Sequence, residues 1–502
     1  MESYVTRVEV DCSRGLPGFE MVGLLGSEIK EARERIRVAF KNMEFQLPPV
    51  KITVNISPAS LRKDGTFYDL PVAAGILTAQ GVIPQEYAQN VMIAGELGLN
   101  GEVRPVRGVL PMVLEARKQG IGRCIIPSGN MNETELIDGI EIVGIDRLEE
   151  LTELLCNCTY WEEKKCHRNT GETKAVVTAD VEADFSRVRG QKGAKRAAMV
   201  AASGFHHMLM IGPPGTGKTM IARCIPSIMP PLSVNEMLEV ASVYSIAGQE
   251  RGRIQKIQRP FVDPHHTITP SALTGGGREP GPGAVSLAHK GVLFLDELSE
   301  FRRTTLDLLR QPLEEHFVNL ARNSGTYQFP ADFMLVAAMN PCPCGYYPDR
   351  GKCRCTPNEI KRYLGRISGP ILDRIDIFTE VEKVDFKGLI AKREREEVES
   401  SVRMRERVME ARSRQEYRYR GKHISFNSQL DVEGIRRYCV LGQAEEVYLE
   451  QLFELLHLSA RSCHRLLRVA RTLADLDGCD RIEKRHLSEA ACYRSADSKY
   501  WE

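Results

Sequence analysis

Residues Met208–Thr219, MLMIGPPGTGKT, constrain the fold of this chain more than any other stretch. Met208–Ile211 is a short apolar run, as expected of a parallel strand buried on both faces. Gly212-Pro213-Pro214-Gly215-Thr216-Gly217-Lys218-Thr219 follows at once, and a helix is expected from about Met220. Strand, G-x-x-x-x-G-K-[ST] loop and helix, in that order, make a phosphate-binding loop. The glycines let backbone N–H groups turn inward around phosphate oxygens, and the helix N-terminus adds partial positive charge there. Lys218 can reach β- and γ-phosphates, and the Thr219 hydroxyl can ligate Mg²⁺. A glycine turn with a stray lysine would need neither the flanking strand nor the helix. The stretch therefore predicts a nucleoside triphosphate site in an α/β domain.

Downstream runs fit the same domain. Gly291–Leu298 (GVLFLDEL) reads as a second buried strand with Asp296 and Glu297 at its C-terminal end, where open α/β sheets bind ligands. Asp296 can hold Mg²⁺, and Glu297 can polarise the water that attacks a γ-phosphate. Phe333–Ala338 is a third strand ending at Asn340, which can orient that water or cap a turn before Pro341. Thr304–His316 reads as a helix, and Val318–Ala321 with Thr326–Phe329 as a β-hairpin tipped by Asn323-Ser324-Gly325. Arg322 stands beside that tip. Arg374 lies between Asp373 and Asp376. It is either a surface ion pair or, in a ring ATPase, an arginine finger. Gly248–Gly283 is long, irregular and rich in glycine and proline, which inside a compact domain usually signals function.

The remainder divides around this core. Residues 1–150 read as mixed α/β, with strands at Tyr4–Val10, Gly18–Val22 and Val50–Ile56 and helices at Glu28–Asn42, Leu70–Ala79 and Gly108–Gln119. Residues 151–185 read as a connector. Cys156, Cys158, Cys166 and His167 within it have a spacing compatible with a metal, but an exposed linker is the simpler reading. Residues 186–385 carry the nucleotide machinery, and Pro226–Pro231 is expected to break the chain. Lys387–Gly421 reads as a charged, solvated helix spanning most of a connector at 386–425. Its end interleaves Arg412, Arg414, Arg418 and Arg420 with Tyr417 and Tyr419, a pattern that suits nucleic acid. Residues 426–502 read as helical, and Arg461 could reach the phosphates from there. With 68 basic and 67 acidic residues, global charge argues neither for nor against nucleic acid. No apolar run is long enough for a membrane span, so a cytoplasmic protein without a membrane partner is expected. The chain has 14 cysteines. Cys342, Cys344, Cys353 and Cys355 form C-x-C-x8-C-x-C, a set that could close a tetrahedral Zn²⁺ site or remain free thiols in a reducing compartment.

Two resemblances follow from longer stretches. DGTFYDLPVAAGIL (64–77), GELGLNGEVRPVRGVL (95–110) and CIIPSGN (124–130) resemble the S5-type fold of Lon-protease proteolytic domains. That family uses a serine nucleophile activated by a lysine. The matching positions here are Phe67 and Leu110, so the resemblance implies the fold but a catalytically dead peptidase. Relatives of this kind open with an extra strand before Val8–Val10, which implies a truncated or divergent start here.

GLPGFEMVGL, VRGQKGAKRA, MIGPPGTGKTM, PHHTITPSALTGGG, LAHKGVLFLDEL, AAMNPCPCGYYPD, ISGPILDRID and LSARSCHRLLRVARTLADL resemble the magnesium-chelatase-subunit-like AAA+ ATPases of the ComM/YifB type. The resemblance implies an N-terminal Lon-like domain, an AAA+ core with a helix-2 insert near Gly248–Gly283, and a C-terminal helical lid after a long linker. It implies ATP and Mg²⁺ as cofactors, Arg374 as a finger reaching a neighbouring subunit, and Arg461 as a lid sensor. It further implies a homo-oligomeric, hexameric ring working on single-stranded or branched DNA during recombination or natural transformation. In that branch the hairpin and the insert point into the pore, which makes Arg322 the first candidate for a phosphate contact. Relatives often carry a basic residue where Val262-Asp263 stand. The competing readings are a metal-chelatase-type motor and a protein-remodelling ATPase without peptidase activity.

Overall fold

The computed structural model describes residues 3–157, 160–161, 183–249, 258–277, 280–322, 325–349, 351–383 and 399–501. The chain divides into two compact units, one of residues 1–176, 233–257 and 321–328, the other of 177–232, 258–320 and 329–502. Cys158, Cys166 and His167, the hairpin-tip residues Asn323 and Ser324, and the first part of the 387–421 stretch lie outside the described residues.

In the first unit, inside–outside alternation builds one sheet. Lys51–Ser57 is its centre, antiparallel to Arg7–Ser13 and parallel to Gly18–Val22. The first strand runs about three residues later than expected, because Val8, Val10 and Cys12 are the residues that pack inward. A second sheet, Val91–Ile93, Arg123–Pro127 and Glu141–Ile145, is parallel throughout. Helix Asp69–Ala79 packs on Arg7–Ser13, and its first residue, Asp69, is a fully buried carboxylate. Arg35 donates to the Asp69 carboxylate from Nε and a terminal nitrogen at 2.7 and 2.9 Å, which compensates the desolvated carboxylate. Leu110 is fully buried among Val106, Val109 and Val113. Phe67 packs beside Tyr68, ring centroids 4.4 Å apart. Neither side chain offers a nucleophile or a base. Helix Val234–Ala247 belongs to this unit and lies on helix Val109–Lys118, with the Gly108 N–H donating to the Ser245 carbonyl at 3.1 Å.

The second unit is built on a five-stranded, all-parallel sheet in the order Phe261–Val262, Val292–Leu295, Met334–Met339, Met208–Ile211, Ile377–Glu380. Its three central strands are buried along their whole length, which explains why they read as apolar runs rather than alternations. Helices Lys192–Gly204, Lys218–Ile228, Ser401–Arg418, Ala460–Leu476 and Lys484–Trp501 belong to the same unit. A buried chain of hydrogen bonds ties sheet to helix: His206 lies 3.0 Å from the Asp376 carboxylate on one ring nitrogen and 2.8 Å from the Thr472 hydroxyl on the other.

Three local expectations change and one holds. The 248–283 stretch is not one excursion, since Phe261–Val262 is the edge strand of the sheet. Thr304–His316 is two short helices, Arg303–Asp307 and Arg310–Glu315. The helix from Lys218 ends at Ile228, inside Pro226–Pro231 as expected, with Pro226 in its last turn. The basic–aromatic run at 412–420 is partly core. Arg412 is buried with its guanidinium 3.9 Å from the Phe426 ring centroid, Arg418 pairs with buried Asp475, and buried Tyr419 donates to Asn427. Arg414, Tyr417 and Arg420 remain exposed.

Candidate nucleotide site

Three adjacent strands run parallel, so their C-terminal ends arrive at one edge of the sheet. Leu295 pairs with Ala337, and Met339 with Ile211. The residues that follow, Asp296-Glu297, Asn340 and Gly212–Thr219, are therefore neighbours although nearly 130 residues of chain separate the first and last of them. This is the edge where open parallel sheets bind ligands.

The loop turns through Gly215 and Gly217, at φ 76° and 88°, a conformation that costs most other residues about 1 kcal/mol or more. No atom lies within 4 Å of where a side chain would begin at either glycine, so the backbone there faces open space. Helix Lys218–Ile228 starts immediately after and directs its free N–H groups toward that space.

Lys218 is buried. Its ammonium donates to the carbonyls of Gly212 and Pro213 at 2.7 and 2.8 Å and to Asn340 Oδ1 at 3.2 Å. The loop lysine and the residue ending the third expected strand thus meet directly. Thr219 Oγ1 donates to Asp296 Oδ2 at 2.7 Å. A hydroxyl and a carboxylate oxygen at that separation suit a hard cation such as Mg²⁺. Asp296 Oδ1 accepts the Glu297 N–H at 2.9 Å, and Glu297 takes a left-handed φ of 51° that turns its carboxylate outward. Strain of this kind at a non-glycine residue concentrates where chemistry is done. His266 Nδ1 lies 3.7 Å from Glu297 Oε2, which brings the Pro264-His265-His266 stretch to this edge.

Burial pushes the Lys218 ammonium down to about 8, although Asp296 and Glu297 partly oppose the shift. A bound polyphosphate adds negative charge and moves the group back toward its ordinary value. Above about pH 8 the free lysine is largely neutral and the bound one charged, so binding takes up a proton and affinity falls as pH rises. Below that pH the uptake from this group fades, because the free lysine is itself increasingly protonated. Calorimetric titration with ATP at pH 9, in two buffers of different ionisation enthalpy, should show uptake in the wild type and none in Lys218→Arg. Equal heats in both buffers for the wild type would contradict the assignment.

Arg374 and Arg461 are brought together, but by a residue that spacing did not single out. Glu314, on helix Arg310–Glu315, pairs with Arg374 at 2.5 Å and with Arg461 at 2.8 Å. Burial pushes the Glu314 carboxyl up, and the two guanidinium groups outweigh it, holding the group below its usual range. Arg461 therefore stands on Glu314 in this chain. Arg322 is exposed at the end of strand Phe317–Arg322, whose hairpin partner is Gly325–Pro330. Cys342, Cys344, Cys353 and Cys355 are gathered on the loop after Asn340, with their sulfurs all within 4.8 Å of one another.

Three family models match the chain in succession: subunit ChlI of Mg-chelatase over residues 8–130, magnesium chelatase subunit ChlI over 184–389, and its C-terminal model over 398–494. The chain is 43% identical over 490 residues to the protein YifB of Escherichia coli (strain K12), covering 98% of this chain and 94% of that one. It is 40% identical over 497 residues to the competence protein ComM of Haemophilus influenzae, covering 99% and 95%. A more local similarity, 30% identity over 168 residues, covers 31% of this chain and 30% of Lon protease 2 of Bacillus subtilis (strain 168).

Proposed function

Because the chain belongs to the magnesium-chelatase-subunit-like AAA+ proteins of the ComM/YifB type, we propose that it is an ATP-hydrolysing ring motor that acts on DNA. The observation that carries this reading is the convergence of Lys218, Thr219, Asn340, Asp296 and Glu297 on one sheet edge, in a chain similar to a competence protein over 99% of its length. In this reading residues 186–385 are the motor core, 386–425 a linker and 426–502 the lid. The 1–150 domain keeps a Lon-like fold with Phe67 and Leu110 where a peptidase would need serine and lysine.

Each residue then has a role set by its chemistry. Gly212–Thr219 wrap the phosphates, and Lys218 balances β- and γ-phosphate charge. Thr219 and Asp296 would hold Mg²⁺, which supplies further neutralisation of phosphate charge. Glu297 accepts a proton from the attacking water, and Asn340 orients the water or the γ-phosphate. Arg374 reaches the γ-phosphate of a neighbouring subunit in a hexameric ring, and Arg461 senses nucleotide from the lid. Both must first leave Glu314. DNA, single-stranded or branched, passes the exposed Arg322 hairpin.

Glu297→Gln should bind ATP with near wild-type affinity and hydrolyse it about 10²–10⁴ times more slowly, the usual contribution of a positioned general base. In a strand-exchange assay on labelled branched DNA, the wild type should move the branch and this variant should not. Branch movement by Glu297→Gln at the wild-type rate would remove the coupling of hydrolysis to movement. Arg322→Ala should weaken binding of DNA irrespective of sequence and lower the slope of log K against log salt by about 0.7–0.9 per lost phosphate contact, read by fluorescence anisotropy. An unchanged slope would exclude Arg322 from the DNA path.

A further inference from the structure

The loop after Asn340 returns on itself and brings its two C-x-C pairs together. The turn is made by Asp349, whose carbonyl accepts the N–H groups of Lys352 at 3.1 Å and Cys353 at 2.7 Å, while its carboxylate accepts that of Gly351 at 3.0 Å. The Sγ atoms of Cys342 and Cys344 are 3.4 Å apart, those of Cys342 and Cys353 3.8 Å, and those of Cys344 and Cys353 3.6 Å. Cys355 completes a group whose ligand atoms lie within 4.8 Å of each other.

These separations fit a shared metal and not a covalent link. A disulfide requires sulfurs at about 2.05 Å. Four sulfurs at about 2.3 Å from one tetrahedral ion stand about 3.8 Å from each other. Thiolates alone, with no carboxylate or carbonyl in the set, exclude the hard cations that serve phosphates and select zinc-like ions. Four protein ligands leave no open position, which is the form of a structural site rather than a catalytic one. The backbone supports thiolate charge as well: the Tyr347 N–H donates to Cys342 Sγ at 3.4 Å. Ligating atoms held by such outer hydrogen bonds are a regular part of built metal sites.

The loop also meets the phosphate loop. Gly345, between the two pairs, is at φ 83°, and a side chain there would begin 2.5 Å from Pro214 Cδ. Both its backbone conformation and this close approach demand glycine. Its N–H is tied back to the Cys342 carbonyl at 2.9 Å. Whatever fixes Cys342 and Cys344 therefore fixes the surface on which Pro214 rests.

We propose that Cys342, Cys344, Cys353 and Cys355 bind one zinc ion in a closed four-thiolate site that props the phosphate loop through Gly345 and Pro214. The prop rests on the reading of that loop as the nucleotide site; the zinc does not, and its content is measured without nucleotide.

The full chain, purified without added metal, is assayed for metal beside Cys353→Ser and Cys492→Ser, the latter an exposed cysteine outside the group. About one zinc per chain is expected in the wild type and Cys492→Ser, with loss in Cys353→Ser. X-ray absorption of the wild type, which depends on no variant, should give four sulfurs at about 2.3 Å from zinc. Zinc far below one per chain in the wild type, iron in its place, or nitrogen or oxygen among the nearest atoms would overturn the site. For the prop, a fluorescent ATP analogue should bind zinc-depleted protein about fivefold or more weakly, the lower end of ordinary coupling between sites. Unchanged affinity in folded, zinc-depleted protein would overturn the prop and leave the zinc site standing.

Discussion

Lys218→Ala is expected to reduce ATP affinity by about 10²–10⁴-fold while leaving the protein folded. The size follows from what the ammonium would do in the bound state. Two charge-assisted hydrogen bonds to phosphate oxygens contribute about 1.5–3 kcal/mol each, and every 1.4 kcal/mol is about tenfold in affinity. The fold loses little, because in the free protein the ammonium is desolvated and satisfied by the carbonyls of Gly212 and Pro213 and by Asn340. Alanine removes the desolvated charge together with those bonds. Titration with ATP and a thermal melt on the same preparation measure both quantities. A folded variant whose affinity falls by less than tenfold would show that the loop does not hold the triphosphate through this lysine.

The second large effect separates the site within one chain from the site a ring requires. Arg374→Ala should lower kcat by about 10³–10⁵, the usual worth of an arginine finger, with ATP affinity per subunit nearly unchanged. In this chain Arg374 is engaged by Glu314, which also holds Arg461. Glu314 thus keeps two positive charges paired, and assembly must offer them a better anion. If the finger acts across a heterologous interface, Lys218 of one subunit works with Arg374 of the next. Mixing Arg374→Ala with Lys218→Ala should then restore hydrolysis at about a quarter of randomly formed interfaces. Two inactive proteins that stay inactive when mixed, while forming mixed rings, would confine Arg374 to its own subunit.

The convergence of the candidate nucleotide site was legible because its residues are consecutive or end apolar runs. The loop is contiguous, and the buried strands before Gly212, Asp296 and Asn340 announce themselves by composition, so a parallel sheet had to bring the three ends together. Glu314 was not legible. One carboxylate in a charged helical stretch has no spacing that distinguishes it, and its importance comes only from two arginines delivered by distant segments. The stretch 401–418 was read as solvated because charge dominates it. Yet Met404, Val408, Ala411, Arg412 and Gln415 recur at helical spacing and are all buried. That stripe was available, but two of its members are polar residues, which find hydrogen-bond partners inside: Arg412 in the Ser425 carbonyl, and Gln415 in the Ser203 carbonyl and the Asn427 N–H. Phe261–Val262 was missed for another reason: a two-residue edge strand lies below the length at which any period can be read.

The central claim is that hydrolysis at Lys218 and Glu297 is coupled to DNA. The most direct test is ATPase rate at low salt with single-stranded DNA, branched DNA, duplex DNA or unfolded protein. The proposed motor predicts stimulation by single-stranded or branched DNA, fading as salt rises, and absent in Glu297→Gln. Stimulation by unfolded protein with no response to any DNA would contradict it.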